Sequence, residues 1–372
     1  MDAKSELVGT KIGGTGRVFF TVATGFLLVS SAYVARGVII PLVVAGFTCF
    51  LIFTLKQAIN KIPLVGKYLP GWLAYGLAFS VIVFVTILLV EIIRDNAEAL
   101  IGTWPQYEKR LTTLTGQGIE YLQNLGALPE DFIDGMDELR SAGLSIINPI
   151  LRDFGTAMRS LTANLVTIFL YTVFMLIERG RFFKKLQKLS TNESQRAAVD
   201  QTVSEIGSMV RQYITVKTST NLITAMVSYT LMRILGIDFA GFWALLIFIL
   251  NYIPIVGAVS AITLPVLLAL VQPDGGGFRL AFLTLGLLVG AEQTMSSVIE
   301  PRLIGRSLNL SPVIILLSLA IWSTIWGFAG ALLAVPMTVT VMIIFTQFQT
   351  TRPIAIMMSD NGDIAPLKPV AA

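Results

Sequence analysis

Glu292, Ser296 and Glu300 fall at i, i+4 and i+8, a spacing that puts all three on one face of a helix, with Gln293 and Ser297 beside them. The surrounding stretch, 279–299, is otherwise apolar. Glu292 lies deeper in it than Glu300. A carboxylate in such surroundings is costly and faces a bundle interior rather than lipid. There it can bind a cation, accept hydrogen bonds from a polar solute, or exchange a proton. The structural alternative for Glu292 is an ion pair with Lys217 or Arg233. A second polar set, Lys217, Asn221, Thr224 and Ser228, repeats at helical spacing within 213–235. It reads as the wall of a solvated cavity or as hydrogen bonding between helices, which Ser and Thr supply in membranes. Lys217 can instead snorkel to the surface.

A third set lies where two charge-free apolar stretches are interrupted. Phe239 to Val271 is broken at Asn251-Tyr252-Ile253-Pro254-Ile255-Val256-Gly257, and Asn309 to Phe348 at Trp326-Gly327-Phe328-Ala329-Gly330. Pro254 removes a helical hydrogen bond, and Gly257, Gly327 and Gly330 permit dihedrals other residues avoid. Freed carbonyls and helix ends at such breaks can ligate a solute or ion. Asn251 adds an amide. As straight helices the two stretches would run roughly 48 and 60 Å, against a hydrocarbon core of about 30 Å. Each must bend, break or fold back, and irregular backbone at that depth survives only inside protein or beside a wet cavity. A simple kink or close helix packing is the structural alternative.

Composition sets the frame for these residues. Of 372 residues, 54% are hydrophobic and 13% charged, against about 25% charged in ordinary soluble domains. This is the composition of an all-α polytopic membrane protein. The chain has no histidine, which removes His-based acid–base chemistry, Ser-His-Asp and Cys-His triads, and His metal ligation. Any proton relay must use carboxylates. The single cysteine, Cys49, allows no internal disulfide and reads as a small buried hydrophobe. No nucleophile–base pair or metal cluster stands out, so neither an enzyme nor a metal or other cofactor is expected. The net charge of +4 follows membrane topology rather than a nucleic-acid groove. Gly13-Gly14-Thr15-Gly16 follows no strand and is not a phosphate loop.

About eight candidate spans result: 18–35, 37–55, 72–93, 160–177, 213–235, 239–271, 279–299 and 309–348. The first is long for a signal-peptide core and no A-x-A site follows, so it is expected to be retained. Basic residues collect at 4–17, 56–67 and 179–211, whereas 94–159 carries six basic and ten acidic residues. The positive-inside rule therefore puts both termini in the cytoplasm and 94–159 outside. The same rule, applied to Arg302 and Arg306, favours re-entrant hairpins over single bent crossings for 239–271 and 309–348. Gly257-Ala258 before Pro265 and Gly330-Ala331 before Pro336 echo one another faintly, as inverted repeats would.

The organisation expected is N-terminal spans (1–93), an extracytoplasmic helical segment (94–159), a span with a basic amphipathic helix (160–212), a C-terminal bundle with broken helices (213–348) and a flexible tail (349–372). In the excursion, Trp104, Tyr107, Leu111, Leu114, Leu122 and Leu125 recur near heptad spacing, interrupted by Gly116, Gly118 and Gly126. It reads as a self-packed cap or a surface for self-association. In 178–212 a capping box, Ser190 to Glu193, precedes an apolar face of Val199, Val203, Ile206 and Val210. The basic cluster before it would face anionic headgroups, chiefly as a topology anchor.

The chain resembles the autoinducer-2 exporter, or PerM-like, family of bacterial permeases. The resemblance rests on Ile253-Pro254-Ile255-Val256-Gly257, Glu300-Pro301-Arg302-Leu303-Ile304-Gly305, Leu310-Ser311-Pro312, and Gly327-Phe328-Ala329-Gly330 leading to Ala334-Val335-Pro336. Ala258 stands where many members have proline, and Ser311 where many have histidine; the second difference removes a titratable group. The resemblance implies a homo-oligomeric transporter of the bacterial inner membrane, a pentamer being one arrangement. Its expected partners are lipids and either a small polar solute such as autoinducer-2 or a monovalent cation exchanged for protons. The path residues expected are Glu292, Gln293, Ser296, Glu300, Lys217, Asn221 and Asn251, with hinges or gates at Pro254, Gly257, Pro301, Gly305, Pro312, Gly327 and Gly330. A membrane scaffold acting through 94–159 is the reading of another class.

Overall fold

The computed structural model describes residues 30–62, 69–124, 164–182, 193–304 and 309–364, with scattered positions at 23–27 and 184–188. Among these every regular element is a helix: α1 (Arg36–Lys61), α2 (Gly71–Asn124), α3 (164–182), α4 (Glu193–Leu235), α5 (Ala240–Leu250), α6 (Val256–Val271), α7 (Phe278–Thr294), α8 (Glu300–Ile304), α9 (Pro312–Thr346) and α10 (Arg352–Met358). Four helical runs are long and apolar enough to cross a membrane: α1, the first part of α2, Phe278–Leu303 and α9.

Two elements run further than the local sequence suggests. α2 continues as one 54-residue helix from the apolar stretch through Pro105, Gly116 and Gly118, so these two glycines do not interrupt the excursion. Their intrinsic cost of about 1 kcal/mol each is outweighed over so long a run. Gly126, Leu125 and the rest of the excursion to 159 lie outside the described residues, as do the start of the first candidate span and Ser190 of the capping box. α4 carries the amphipathic segment directly into the span as one 43-residue helix.

The chain reverses at both breaks. α5 and α6 meet at 251–255, and a Cβ on Gly257 would fall on the carbonyl oxygen of Leu250, an approach only glycine allows. Their other ends are held together: the Asp238 amide donates to Gln272 Oε1 at 3.0 Å, and Gln272 Nε2 donates to the Gly236 carbonyl at 2.9 Å. In α9, Gly327 adopts φ 62°, ψ −139°, and a Cβ on Gly330 would fall on the Trp322 carbonyl. Trp322 Nε1 donates to Thr338 Oγ1 at 3.1 Å, although a straight helix would separate these residues by about 24 Å. α9 is therefore two antiparallel arms.

α4 is the spine between the two hairpins, and they approach it from opposite ends. Val210, Tyr213 and Ile214, near its start, pack with Leu310, Val335, Val339, Met342, Ile343 and Met358 at the open end of the second hairpin. Met232, near its other end, and Ile237, just past it, pack with Trp243, Ile247, Leu268 and Ala269 of the first hairpin and with Leu100 and Tyr107 of α2. The extension of α2 clamps the open end of the first hairpin. Tyr107, 3% exposed, donates its hydroxyl to Asp238 Oδ2 at 2.7 Å, and Arg110 Nη2 donates to the Gly276 carbonyl at 3.4 Å. Burial, followed by that hydrogen bond to a carboxylate, raises the Tyr107 pKa above the ordinary phenol range.

The tail is not loose in its first half. Ser311 N donates to the Met358 carbonyl at 3.0 Å, and Asn309 Nδ2 to the Asp363 carbonyl at 2.6 Å. Ala355 and Met358 are buried against the second hairpin. These contacts fix 352–364 under its open end; 365–372 lie outside the described residues.

Candidate transport site

The first hairpin ends in a tight turn because Pro254 cannot continue α5. The Val256 amide donates to the Pro254 carbonyl at 2.7 Å across Ile255, which is held at φ 64°, ψ −55°. That is the strained form of γ-turn, and for a β-branched residue the conformation costs on the order of 1–3 kcal/mol. The turn presses Asn251, 6% exposed, and Tyr252 into the angle between α4 and α7.

There the polar residues meet. Asn251 Nδ2 donates to Glu292 Oε2 at 2.9 Å. Asn221, 2% exposed on α4, donates through Nδ2 to the Phe248 carbonyl at 3.2 Å. Thr218 and Tyr252 hydroxyls pair at 2.6 Å. One turn before Asn221, Lys217 Nζ lies 2.7 Å from Glu300 Oε1, with side chains only 14% and 20% exposed. Thus Lys217 neutralises Glu300, and Glu292 is paired with neither Lys217 nor Arg233 in these contacts. The Asn251 Oδ1 is buried and has no hydrogen-bond donor among the described residues. Buried polar atoms are rarely left so, and this one lies beside the Glu292 carboxylate.

The expected face of Glu292, Ser296 and Glu300 is not formed. Residues Met295–Ile299 are a π-turn, whose extra residue rotates the following register by about a quarter turn. Glu292 and Glu300 are half-buried toward α4 and the hairpin, whereas Gln293 and Ser296 are exposed. Ser297 Oγ donates to Gln293 Oε1 at 3.1 Å on that outer face. The polar stripe of α4 is not a wetted wall in this conformation: Asn221, Thr224 and Ser228 are 2%, 3% and 2% exposed. Thr224 Oγ1 donates to the Thr220 carbonyl at 2.9 Å, within its own helix. Of the expected hinges, Pro254, Gly257, Gly327 and Gly330 sit at the two reversals, Pro301 is exposed on α8, and Pro312 opens α9, where its fixed φ suits a first helical turn. Gly305 lies outside the described residues. Thr218 and Tyr252 were not expected; Tyr252 stands in the break itself and Thr218 beside Lys217, so both were within reach of the same spacing.

No group of three or more His, Cys, Asp or Glu gathers at metal-binding distance among the described residues.

A spine helix flanked by two oppositely directed broken hairpins, with an amide and a carboxylate at the meeting point, is the design of a multi-pass membrane transporter. The sequence profile of AI-2E family transporters matches residues 21–350, and the chain belongs to that family. It is 29% identical to the AI-2 transport protein TqsA of Escherichia coli K12, over 88% of this chain and 90% of that one. It is 25% identical to a Haemophilus influenzae chain that carries the name "Putative transport protein", over 93% and 97% of the two lengths. A Mycobacterium tuberculosis chain, "Putative transport protein MT0215", is 34% identical over 28% of each.

Proposed function

We propose that this transporter exports a small polar solute, autoinducer-2 being the first candidate, by alternating access at the Asn251–Glu292 site. The observation that carries the reading is the buried Asn251 amide oxygen without a donor, beside a carboxylate, at the end of a strained hairpin. A polar solute with hydroxyls would donate to that oxygen and to Glu292. The name of the Escherichia coli relative supports autoinducer-2 as the solute to try first. The two hairpins, re-entering from opposite membrane faces, act as the two gates, with Ile255 and the π-turn as hinge points. Lys217 and Glu300 cancel one another's charge and keep the path neutral beneath the site. The protein works as a homo-oligomer in the bacterial inner membrane, with both termini cytoplasmic.

Sodium or lithium/proton antiport is the second reading. The oxygens of the Asn251 amide and the Glu292 carboxylate also suit a hard monovalent cation. Proteoliposomes separate the two. Autoinducer-2 uptake into inside-out vesicles and sodium- or lithium-driven proton movement are measured for the wild type, Glu292→Gln and Asn251→Ala. The export reading expects solute flux to fall roughly tenfold or more in both variants, about 1.4 kcal/mol, with no cation-driven proton signal in the wild type. Wild-type proton movement without solute flux establishes the antiport. Solute flux unchanged in both variants removes the site from the path.

A further inference from the structure

A cavity of about 920 Å³, open on one side, lies away from the hairpins, between α1, α3 and the first part of α4. Phe50, Phe53, Met175 and Val203 form its apolar wall. Two glycines make the room: a Cβ on Gly207 would meet no atom within 4 Å, and one on Gly46 only the Met175 methyl carbon at 3.7 Å. The volume is at the upper end of the roughly 300–1,000 Å³ of small-molecule pockets.

Its polar side is built from two arginines. Arg179 lies over the Phe53 ring, 3.9 Å from the centroid, and donates to the Tyr75 hydroxyl at 3.4 Å. Arg211 donates through Nη1 to Gln57 Oε1 at 3.5 Å, while its buried Nε has no acceptor among the described residues. Ser204 and Ser208 add hydroxyls. The two acids on the lining are engaged: Glu178 accepts from Lys185 Nζ at 2.6 Å, which lowers its pKa, and Asp200 has an interaction of its own. Segment 178–211 holds seven basic residues against four acidic ones. This is the end of the bundle where the positive-inside rule puts the cytoplasmic leaflet, whose anionic lipids attract such clusters.

We propose that this cavity is a binding site for one anionic phospholipid, its acyl chain along Phe50, Met175 and Val203 and its phosphate accepting from Arg211 Nε and the neighbouring guanidinium of Arg179. The site joins α1 and α3 to α4, the helix that also carries Lys217 and Asn221. A bound lipid therefore braces the spine on which the transport site is built. The commitment to an anionic headgroup comes from the unspent Arg211 donor and the local excess of positive charge. The apolar wall requires a lipid rather than free phosphate.

Native mass spectrometry of the full-length protein, delipidated in detergent, tests this with phosphatidylglycerol, phosphatidylcholine of the same chains, and inorganic phosphate. One phosphatidylglycerol per chain is expected to be retained over phosphatidylcholine by roughly tenfold, with no retention of phosphate. Arg211→Gln is expected to weaken phosphatidylglycerol about fivefold, as loss of about 1 kcal/mol per basic residue implies, and Arg211→Lys to restore most of it. Gly207→Phe, which fills the cavity, abolishes the one-to-one adduct while Gly207→Ala keeps it. Equal retention of both lipids, displacement by phosphate alone, or an undiminished adduct in Arg211→Gln overturns the site. A change in copy number with Gly207→Phe overturns it too, since a second copy of the chain would then fill the groove.

Discussion

The two hairpins solve one geometric problem with different chemistry. Each turns an apolar helix back on itself by setting a glycine, Gly257 or Gly330, against a backbone carbonyl of the opposite arm. At the point of reversal they part. The second hairpin uses Gly327 at φ 62°, where glycine carries little strain. The first uses Ile255 at φ 64°, a β-branched residue in a conformation it resists. The tips differ in the same sense. Near the second tip, Trp322 and Trp326 pack with ring centroids 5.1 Å apart, and Trp326 Nε1 donates to the Ala32 carbonyl at 3.3 Å. Near the first tip, Asn251 donates to a carboxylate, Tyr252 pairs with Thr218 of α4, and Asn221 of α4 donates to the Phe248 carbonyl. One reversal is relaxed and its indoles are satisfied; the other is strained and leaves a buried oxygen open. Strain and an unmet polar atom gather at the same tip, a combination that proteins keep where structure elsewhere holds it in place.

The strongest way to break this comparison is at the shared glycines. Gly257→Ala and Gly330→Ala each put a methyl group onto a carbonyl oxygen, and each is expected to destabilise by about 3 kcal/mol, the upper range for overpacking, read by thermal unfolding in detergent. Gly286→Ala and Gly290→Ala, on open faces of α7, are the controls and should gain up to about 1 kcal/mol. If either hairpin tolerates alanine as the controls do, its reversal is not as drawn. Next in size is the charge pair under the site. Lys217→Ala leaves Glu300 half-buried and unpaired at a cost of about 2 kcal/mol, and a double-mutant cycle with Glu300→Gln should recover a coupling of about 1–3 kcal/mol. Coupling near zero would make the pair an exposed contact.

The strained reversal sharpens the contrast more finely. Ile255→Gly removes strain of about 1–3 kcal/mol but adds unfolded-state freedom of about 1 kcal/mol. On balance stability should rise by about 0–2 kcal/mol, while flux changes severalfold. The same flux measurement on Trp322→Phe should show no change, although losing the bond to Thr338 costs about 1 kcal/mol of stability. A flux effect at Trp322 matching that at Ile255 would give the hairpins equal roles.

Much of this was legible in the residues. Pro254, Gly257, Gly327 and Gly330 announced the breaks because apolar stretches that long cannot stay straight in a bilayer. Asn251 and Glu292 stood out as candidates because an amide and a carboxylate in apolar surroundings need partners, and they are hydrogen-bonded to each other. The π-turn at Met295–Ile299 was not legible. A spacing argument assumes 3.6 residues per turn, and the inserted residue removes Ser296 from the face it shares on paper. Glu300 therefore meets Lys217 rather than joining Glu292. The part played by Tyr252 was hidden because its hydroxyl only matters once Thr218 is opposite. The continuation of α2 through Gly116 and Gly118 was hidden because glycine's weak local preference says nothing about tertiary support at Tyr107 and Asp238. The order of the tail was hidden for a similar reason: Ser311 and Asn309 hold it from far along the chain.

The central claim is that the first hairpin tip is reached alternately from the two sides of the membrane. A single cysteine replacing Val256, exposed at the same tip, in a Cys49→Ala background, is labelled with a membrane-impermeant thiol reagent in right-side-out and inside-out vesicles. Each orientation is measured under imposed proton or sodium gradients of either sign. The account predicts that labelling moves from one face to the other when the gradient is reversed. Labelling confined to one face under every gradient, or absent from both, would contradict it and leave the hairpin a fixed structural fold.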